Sequence, residues 1–167
     1  MVERLEKRKV NIFYLNESPE IAAVEHNDKH CVKMILESAQ MLCTAHRVLD
    51  GDKKADKLFM YKKAHVNHPS TIWVRDNVHN YWWLYRLFVA LCDEYTYRYE
   101  KAHTTDLKLR ETLRTPPKNI PVNRKFYQPP QCMPEEYKGE DSVEAYHKYY
   151  MGEKSSFSTW KMRPIPP

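Results

Sequence analysis

The fold is decided by the strongest helical pattern in the chain, residues 71–101, which read TIWVRDNVHNYWWLYRLFVALCDEYTYRYEK. Large apolar side chains recur in this stretch mostly at intervals of three or four residues, so on a helix they share one broad face. They are Ile72, Val78, Tyr81, Trp82, Tyr85, Phe88, Val89, Cys92 and Tyr95. The pattern predicts a long amphipathic helix that packs against the rest of the chain through this face.

A second long helix is predicted over residues 21–49. Ser18 is a suitable cap for its start, and Pro19 suits its first position. The Asn27-Asp28 pair is a point at which it could break, and the Asp50-Gly51-Asp52 sequence should end it. One set of apolar residues recurs at helical spacing: Cys31, Ile35, Ala39, Leu42 and Leu49. A second set lies beside it on the helix: Val32, Leu36 and Cys43.

The remaining sequence predicts shorter elements around these two helices. Residues 10–15 indicate a short extended segment, residues 106–114 a short helix, and residues 142–151 a last helix that ends at Gly152. Residues 115–141 form an irregular proline-rich arm, with six prolines between positions 116 and 134. We therefore expect a mainly α single domain over residues 1–167, with a charged N-terminal extension at 1–9.

Composition excludes several classes of protein. Its three glycines disfavour a turn-rich β protein and a glycine-rich phosphate loop. No apolar run approaches the roughly 18 residues that a spanning helix needs. The net charge of +5 is mildly basic and compatible with an anionic partner. Its four cysteines form no Cys-x-x-Cys pair, which favours buried reduced thiols. The start of the chain has no secretory pattern. We expect a cytoplasmic protein, in the host cytoplasm if the gene belongs to a phage, with no cofactor, bound metal or membrane contact.

Basic residues mixed with aromatic residues suggest binding to nucleic acid, since flexible cations contact phosphates and aromatic rings stack on bases. Residues 51–115 carry 12 basic and 8 acidic side chains. The same composition also suits an ordinary solvated loop. If the surface binds DNA, the predicted contacts are Arg47, Lys53, Lys54, Lys57, Lys62, Lys63, Arg75, Arg124 and Lys125.

One polar stripe of the second helix could carry chemistry. His30, Lys33, Glu37 and Gln40 are three or four residues apart and therefore share a face. A lysine amine can act as a nucleophile, and a carboxylate can act in acid–base catalysis or stabilise a cation. The alternative is a solvated helix face with one ordinary ion pair, worth about 0.2–0.5 kcal/mol.

Histidines offer a competing kind of site. His26 and His30 are four residues apart and could bind a metal on one helix face, as in a metal-dependent hydrolase. No glutamate follows His26, so the His-Glu-x-x-His pattern is absent. In the Trp82-Trp83 pair, one ring should pack in the core and the other on a second face, while a platform for a flipped base is the minor alternative.

Four segments resemble a small family of phage-type proteins, a similarity that carries little functional information. They are NIFYL (11–15), DKHCVKMILESAQML (28–42), HPSTIWVR (68–75) and MPEEYK (133–138). More distantly, the order of features resembles the endonuclease V-type pyrimidine-dimer DNA glycosylases, which are small all-helical enzymes. Asp28-Lys29-His30 with Glu37 seven residues later matches that family's Asp-x-His and essential Glu. A basic connection (53–63), a turn (68–71), a long helix and a Trp/Tyr-rich end (146–161) follow in the same order.

The resemblance implies a DNA glycosylase with apurinic/apyrimidinic (AP) lyase activity on double-stranded DNA, in which Glu37 is the essential carboxylate. In that family the attacking amine is the N-terminal α-amine. Here ten residues precede Asn11, and Leu36 and Gln40 stand where the family has arginines. Lys33, one turn before Glu37, is a substitute amine, and His30 completes the predicted catalytic set. The alternatives are a non-catalytic module that binds DNA or a host protein, and the histidine-based metal-dependent hydrolase.

Overall fold

The computed structural model of the 167-residue chain describes residues 11–154 and 158–166, so the predicted extension at 1–9 lies outside the described residues. The fold is mainly α, as predicted, and the described residues contain no strand. Its helices are α1 (Pro19–Glu25), α2 (Asp28–Asp50), α3 (Asp52–Lys57), α4 (Pro69–Asp76), α5 (Val78–Tyr99), α6 (Thr104–Leu113) and α7 (Ser142–Tyr149). A π-helical turn, Tyr150–Lys154, continues α7, and a 3-10 turn, Glu135–Tyr137, precedes it.

Local side-chain caps explain where the first two helices begin and end. The Ser18 hydroxyl accepts the N–H of Ile21, and Pro19 begins α1, as predicted. The chain leaves the helical conformation at His26, and the side chain of Asn27 then accepts the N–H of His30 to begin α2. Gly51, at φ 85°, ends α2 in a conformation that glycine adopts without strain. The break at Asn27 is therefore confirmed.

The stretch 71–101 differs from the prediction, because it forms two helices rather than one. Asn77 is extended, with φ −158° and ψ 164°, and separates α4 from α5. Its side-chain oxygen accepts the N–H of Asn80, which replaces the backbone bond that a continuous helix would supply. An apolar pattern that continues across an asparagine cap conceals this break.

The two long helices α2 and α5 pack side by side and antiparallel. Cys31, near the start of α2, donates its thiol to the carbonyl of Leu91, and His46, near the end of α2, bonds the hydroxyl of Tyr81. Cys31, Ile35 and Leu42 are fully buried along this contact. Because helical residues recur every 3.6 positions, Lys33 and Glu37 lie on the side of α2 that faces away from α5.

A buried ionic network joins the beginning of α2 to α5 and to the C-terminal segment, residues 158–166. The Arg98 side chain has no solvent exposure and donates to Glu94 at 2.9 Å, to Asp28 at 3.0 Å and to the carbonyl of Val24 at 3.0 Å. Glu94 also accepts from Arg163, and Asp28 accepts the backbone N–H of Lys161. The network fixes three segments that are distant in sequence.

The proline-rich arm is irregular apart from its 3-10 turn, and it packs on the helices. The indole N–H of Trp73 donates to the carbonyl of Tyr127 at 2.9 Å, and Asn77 donates to the carbonyl of Lys125. Met133 is buried within the arm. Tyr137 of the arm lies close to Gly152 of the π-helical turn. Glycine is needed there, since a Cβ atom would lie 2.6 Å from the Tyr137 hydroxyl.

The predictions for buried apolar residues hold for several side chains. Three of the four cysteines are buried, and Cys132 is half-buried. Trp83 is buried, as expected for one ring of the pair, whereas Trp82 is 45% exposed rather than covered by a second packing face. Residues 11–15 are buried without joining a sheet.

Among the described residues, no helix combines the length and the apolar character needed to cross a bilayer.

Candidate active site and nucleic-acid interface

Lys33 and Glu37 form a pair on the outward face of α2. The Lys33 Nζ atom lies 3.8 Å from the Glu37 Oε1 atom, one helical turn away. The side chain of Lys33 is 56% exposed, whereas that of Glu37 is only 17% exposed. The pair therefore joins an accessible amine to a carboxyl group that is largely shielded from water.

Burial raises the pKa of the Glu37 carboxyl, and the positive charge of Lys33 opposes this effect. Removing a carboxylate from water destabilises its charged form, which makes the group a stronger proton acceptor than an exposed glutamate. Such a carboxyl can take a proton from a neighbouring ammonium or stabilise a positive charge that develops beside it. This environment is more suited to catalysis than that of an ordinary surface ion pair.

His30 occupies a different environment from the Lys33–Glu37 pair, although it belongs to the same sequence stripe. It is 5% exposed and stacks on the ring of Phe13, with ring centroids 4.2 Å apart. Its Nδ1 atom bonds the hydroxyl of Tyr150 at 2.6 Å, and that hydroxyl also accepts the N–H of Asn27. His30 thus positions the first turn of α2 against the π-helical turn.

The basic connection forms an exposed surface after the end of α2. All five of its lysines are exposed: Lys53, Lys54, Lys57, Lys62 and Lys63. Two aspartates partly neutralise them, since Asp56 lies 3.1 Å from Lys62 and Asp52 lies 3.7 Å from Lys63. Five lysines and two aspartates leave an excess of three positive charges on this surface.

Arg47 was predicted to contact DNA, but its side chain is only 2% exposed and its donors are occupied inside the protein. It donates to the carbonyls of Met60 and Tyr61 and to the carboxylates of Asp52 and Asp56. Contact with a phosphate would require these bonds to break. Arg47 therefore holds the basic connection in place from beneath.

The other predicted contacts lie on α4 and the arm. Arg75 is half-buried and donates to the carbonyl of Val66 at 2.8 Å, and burial lowers its pKa. Arg124 is 61% exposed and pairs with Asp76 at 2.7 Å. Lys125 is exposed. Arg124 and Lys125 are thus available at the surface, whereas Arg75 is partly engaged.

The spacing along α2 is compatible with one DNA duplex that reaches both the Lys33–Glu37 pair and the basic connection. Ten residues separate Glu37 from Arg47, which corresponds to a rise of about 15 Å. A duplex advances about 3.4 Å per base pair, so this distance spans about four or five base pairs. The interface would therefore need only a short duplex segment.

The two histidines considered for a metal site have other partners. His26 is fully buried, its Nδ1 atom bonds the carbonyl of Ala22 at 2.6 Å, and burial lowers its pKa to about 4. His30 is bound by Tyr150. Within residues 11–154 and 158–166, no group of three or more His, Cys, Asp or Glu side chains is arranged to hold a metal ion.

Sequence reasoning missed the groups that surround this region. Phe13 and Tyr150 fix His30, and Glu25 faces His147, whose Nε2 atom lies 3.7 Å from the Glu25 Oε2 atom. Tyr150 is 120 positions from its partner, and no local pattern signals such a contact. The only available signal was the cluster of aromatic residues near the end of the chain.

Comparison with known families now adds an independent finding. The family model described as pyrimidine dimer DNA glycosylase matches residues 10–107. The match includes α1 to α5, the Lys33–Glu37 pair and the basic connection, and it covers more than half of the chain. Searches of curated proteins and of solved structures find no significant match. On this match, the chain belongs to the pyrimidine dimer DNA glycosylase family.

Proposed function

We propose that the protein is a DNA glycosylase and AP lyase that removes damaged or modified bases from double-stranded DNA. Glu37 is its essential carboxylate in this proposal. The observation that carries it is the shielded Glu37 carboxyl beside the accessible Lys33 amine, within the residues that the glycosylase family model matches. The exposed lysines of the basic connection support contact with a polyanion.

The proposed reaction begins with a proton transfer. Lys33 must lose a proton to become nucleophilic, and Glu37, 3.8 Å away, is the acceptor. The neutral amine attacks C1′ of the sugar and the bond between C1′ and the base breaks, so the base leaves with the bonding electrons and takes up the proton that Glu37 accepted. The attached nitrogen then carries two protons. One of them passes to O4′ as the bond between C1′ and O4′ breaks and the sugar ring opens, and the other stays on the nitrogen, which gives a protonated Schiff base at C1′.

Strand cleavage follows from the Schiff base by β-elimination. A proton leaves C2′, the bond between C3′ and its phosphate oxygen breaks, and the phosphate leaves with the electron pair. Once it has passed its proton to the departing base, Glu37 is again a carboxylate and stabilises the positive charge at C1′. The flipped nucleotide would be held by exposed basic groups of the proposed DNA surface. The α-amine of the chain is the alternative nucleophile, and residues 1–10 lie outside the described structure.

The test of this function is covalent trapping. The protein is incubated with a duplex that carries one abasic site or one pyrimidine dimer, in the presence of borohydride, which reduces a Schiff base to a stable amine. We expect a protein–DNA adduct and, without borohydride, a nick at the lesion. Lys33→Met should abolish the adduct if Lys33 supplies the amine, whereas an adduct that persists in this variant would assign the α-amine. Neither adduct nor nick, with DNA binding intact, would indicate the non-catalytic binding module.

Reversing four charges tests the proposed DNA surface. The variant combines Lys53→Glu, Lys54→Glu, Lys62→Glu and Lys63→Glu. We expect at least a tenfold loss of duplex affinity at low salt, and a salt dependence whose slope falls by about 3 to 4, because each lost phosphate contact releases about 0.9 counterion fewer. Fluorescence anisotropy at several salt concentrations measures both quantities.

A matched control carries the same change in net charge elsewhere on the surface. Its reversed residues are exposed lysines outside the basic connection: Lys101, Lys138, Lys148 and Lys161. This control should keep most of the affinity and the original salt slope. Equal losses in the two variants would mean that net charge alone drives binding and that the proposed surface is wrong.

A further inference from the structure

An apolar cavity of about 240 Å³ lies between the end of α1, the π-helical turn and the C-terminal segment 158–166. Its volume corresponds to about eight water molecules, which limits a ligand to the size of a small aromatic fragment. Leu15, Met151 and Ile165 contribute apolar walls, and Tyr150 and Trp160 contribute aromatic ones. Neither Lys33 nor Glu37 lines it, so this cavity is separate from the proposed active site.

Glu25 gives the cavity one acidic group without a hydrogen-bond partner. Its Oε2 atom is closed off from solvent and receives no hydrogen bond. The side chain as a whole is 20% exposed and lines the cavity, so a ligand in the cavity can contact it. Burial raises the pKa of this carboxyl, and the neighbouring His147 opposes the effect only in part.

The neighbouring groups offset the burial of Glu25 only in part. His147 lies 3.7 Å from Oε2, and the same Nε2 atom bonds the carbonyl of Leu15 at 2.5 Å, so its proton is directed to that carbonyl. The nearby cation Arg98 is bound to Asp28 and Glu94. Within the described part of the chain, no lysine or arginine pairs with Glu25.

The apolar walls and the Glu25 carboxyl together favour a positively charged ligand. An ammonium group would donate to the Glu25 carboxylate, and an apolar body would fill the rest of the cavity. The aromatic walls favour a cation as well, because the faces of such rings attract positive charge. The Trp160 ring is held in place, since its indole N–H donates to the carbonyl of Glu25 at 2.9 Å. We propose that the cavity is a binding site for a small primary amine with an apolar body, with the ammonium on Glu25.

Ligand binding to the full chain tests this site with three compounds. Benzylamine has the proposed charge and size, benzyl alcohol has the same shape without the charge, and adenine represents a neutral heterocycle with N–H donors. Ligand-observed NMR and calorimetry give the dissociation constants. We expect benzylamine to bind at least about tenfold more tightly than either neutral compound, since a charge-assisted bond is the stronger one.

Three variants locate the effect. Glu25→Gln keeps the shape and should bring benzylamine and benzyl alcohol to within about twofold of each other. Glu144→Gln removes an exposed carboxylate on α7 that does not line the cavity, and it should change nothing. Met151→Trp, at a 68% exposed position on the cavity wall, should fill the space and abolish binding of benzylamine. Thermal unfolding confirms that each variant is folded.

Three results would overturn the proposal. The first is equal affinity for benzylamine and benzyl alcohol in the unmodified protein. The second is tighter binding of adenine than of benzylamine, which would assign the cavity to a neutral heterocycle. Benzylamine affinity that is unchanged in both Glu25→Gln and Met151→Trp would place the amine elsewhere and would also refute it. None of these results bears on the role of Glu37, because the two sites share no residue.

Discussion

Replacing Glu37 by glutamine is expected to slow strand cleavage at an abasic site by at least about 100-fold, with little loss of DNA affinity. Glutamine has the same shape but can neither accept the proton of Lys33 nor stabilise the cationic sugar. Because we propose the basic connection as the main DNA contact, we expect binding to change by less than about threefold. Single-turnover cleavage of an end-labelled duplex measures the rate, and anisotropy measures the affinity.

The control for this substitution is Glu136→Gln, which removes an exposed carboxylate in the 3-10 turn of the arm. Its cleavage rate should match that of the unmodified protein. Retention of full activity by Glu37→Gln would remove Glu37 from the mechanism. A parallel loss of affinity and rate would instead assign Glu37 to DNA binding or to folding.

Replacing Arg98 by methionine is expected to lower the free energy of unfolding by about 3–5 kcal/mol. The substitution keeps most of the side-chain volume but leaves Asp28 and Glu94 without the guanidinium that both now contact. Removal of one partner from a buried ionic network leaves the other charges uncompensated. Urea unfolding, followed by far-UV circular dichroism, gives this quantity.

Arg86→Met is the matched control, because Arg86 on α5 also pairs with a glutamate, Glu20, but at the surface. Arg86 is 57% exposed, and exposed pairs contribute about 0–1 kcal/mol. We expect Arg86→Met to cost less than about 1 kcal/mol. Similar values for the two variants would show that the Arg98 network contributes no more than a surface ion pair.

Local signals in the sequence predict much of the fold. Ser18 and Pro19 begin α1, Gly51 ends α2, and the apolar periodicity identifies α2 and α5. These signals act within a few residues of one another, so they can be read without knowledge of the tertiary structure. The short helix α3 was missed because its sequence, DKKADK, has no apolar face beyond the buried Ala55.

Long-range contacts explain what sequence reasoning could not predict. Arg98 bonds Asp28 across 70 positions, and His30 bonds Tyr150 across 120. The charge of Arg47 predicts a DNA contact, yet its side chain is buried and donates to four acceptors inside the protein. A basic residue at the end of a helix has the same local pattern whether it faces solvent or holds a loop, and only tertiary contacts distinguish the two cases.

The Lys33–Glu37 pair could be predicted from the sequence, whereas its surroundings could not. Helical spacing alone brings Lys33 and Glu37 together, because residues four apart share a face. Spacing also placed His30 on that stripe, but packing against Phe13 and Tyr150 buries it. The shielding of Glu37, which distinguishes it from a surface glutamate, depends on neighbouring packing that no local pattern encodes.

Strand cleavage at a single abasic site, by the unmodified protein in excess and in the presence of EDTA, tests the central claim most directly. An abasic site bypasses the unknown identity of the damaged base, and EDTA removes divalent metal. We expect a nick at the abasic site only, and the 3′ end at the nick should carry the unsaturated aldehyde that β-elimination produces. An intact strand in a stable protein–DNA complex, or cleavage that requires added metal, would contradict it.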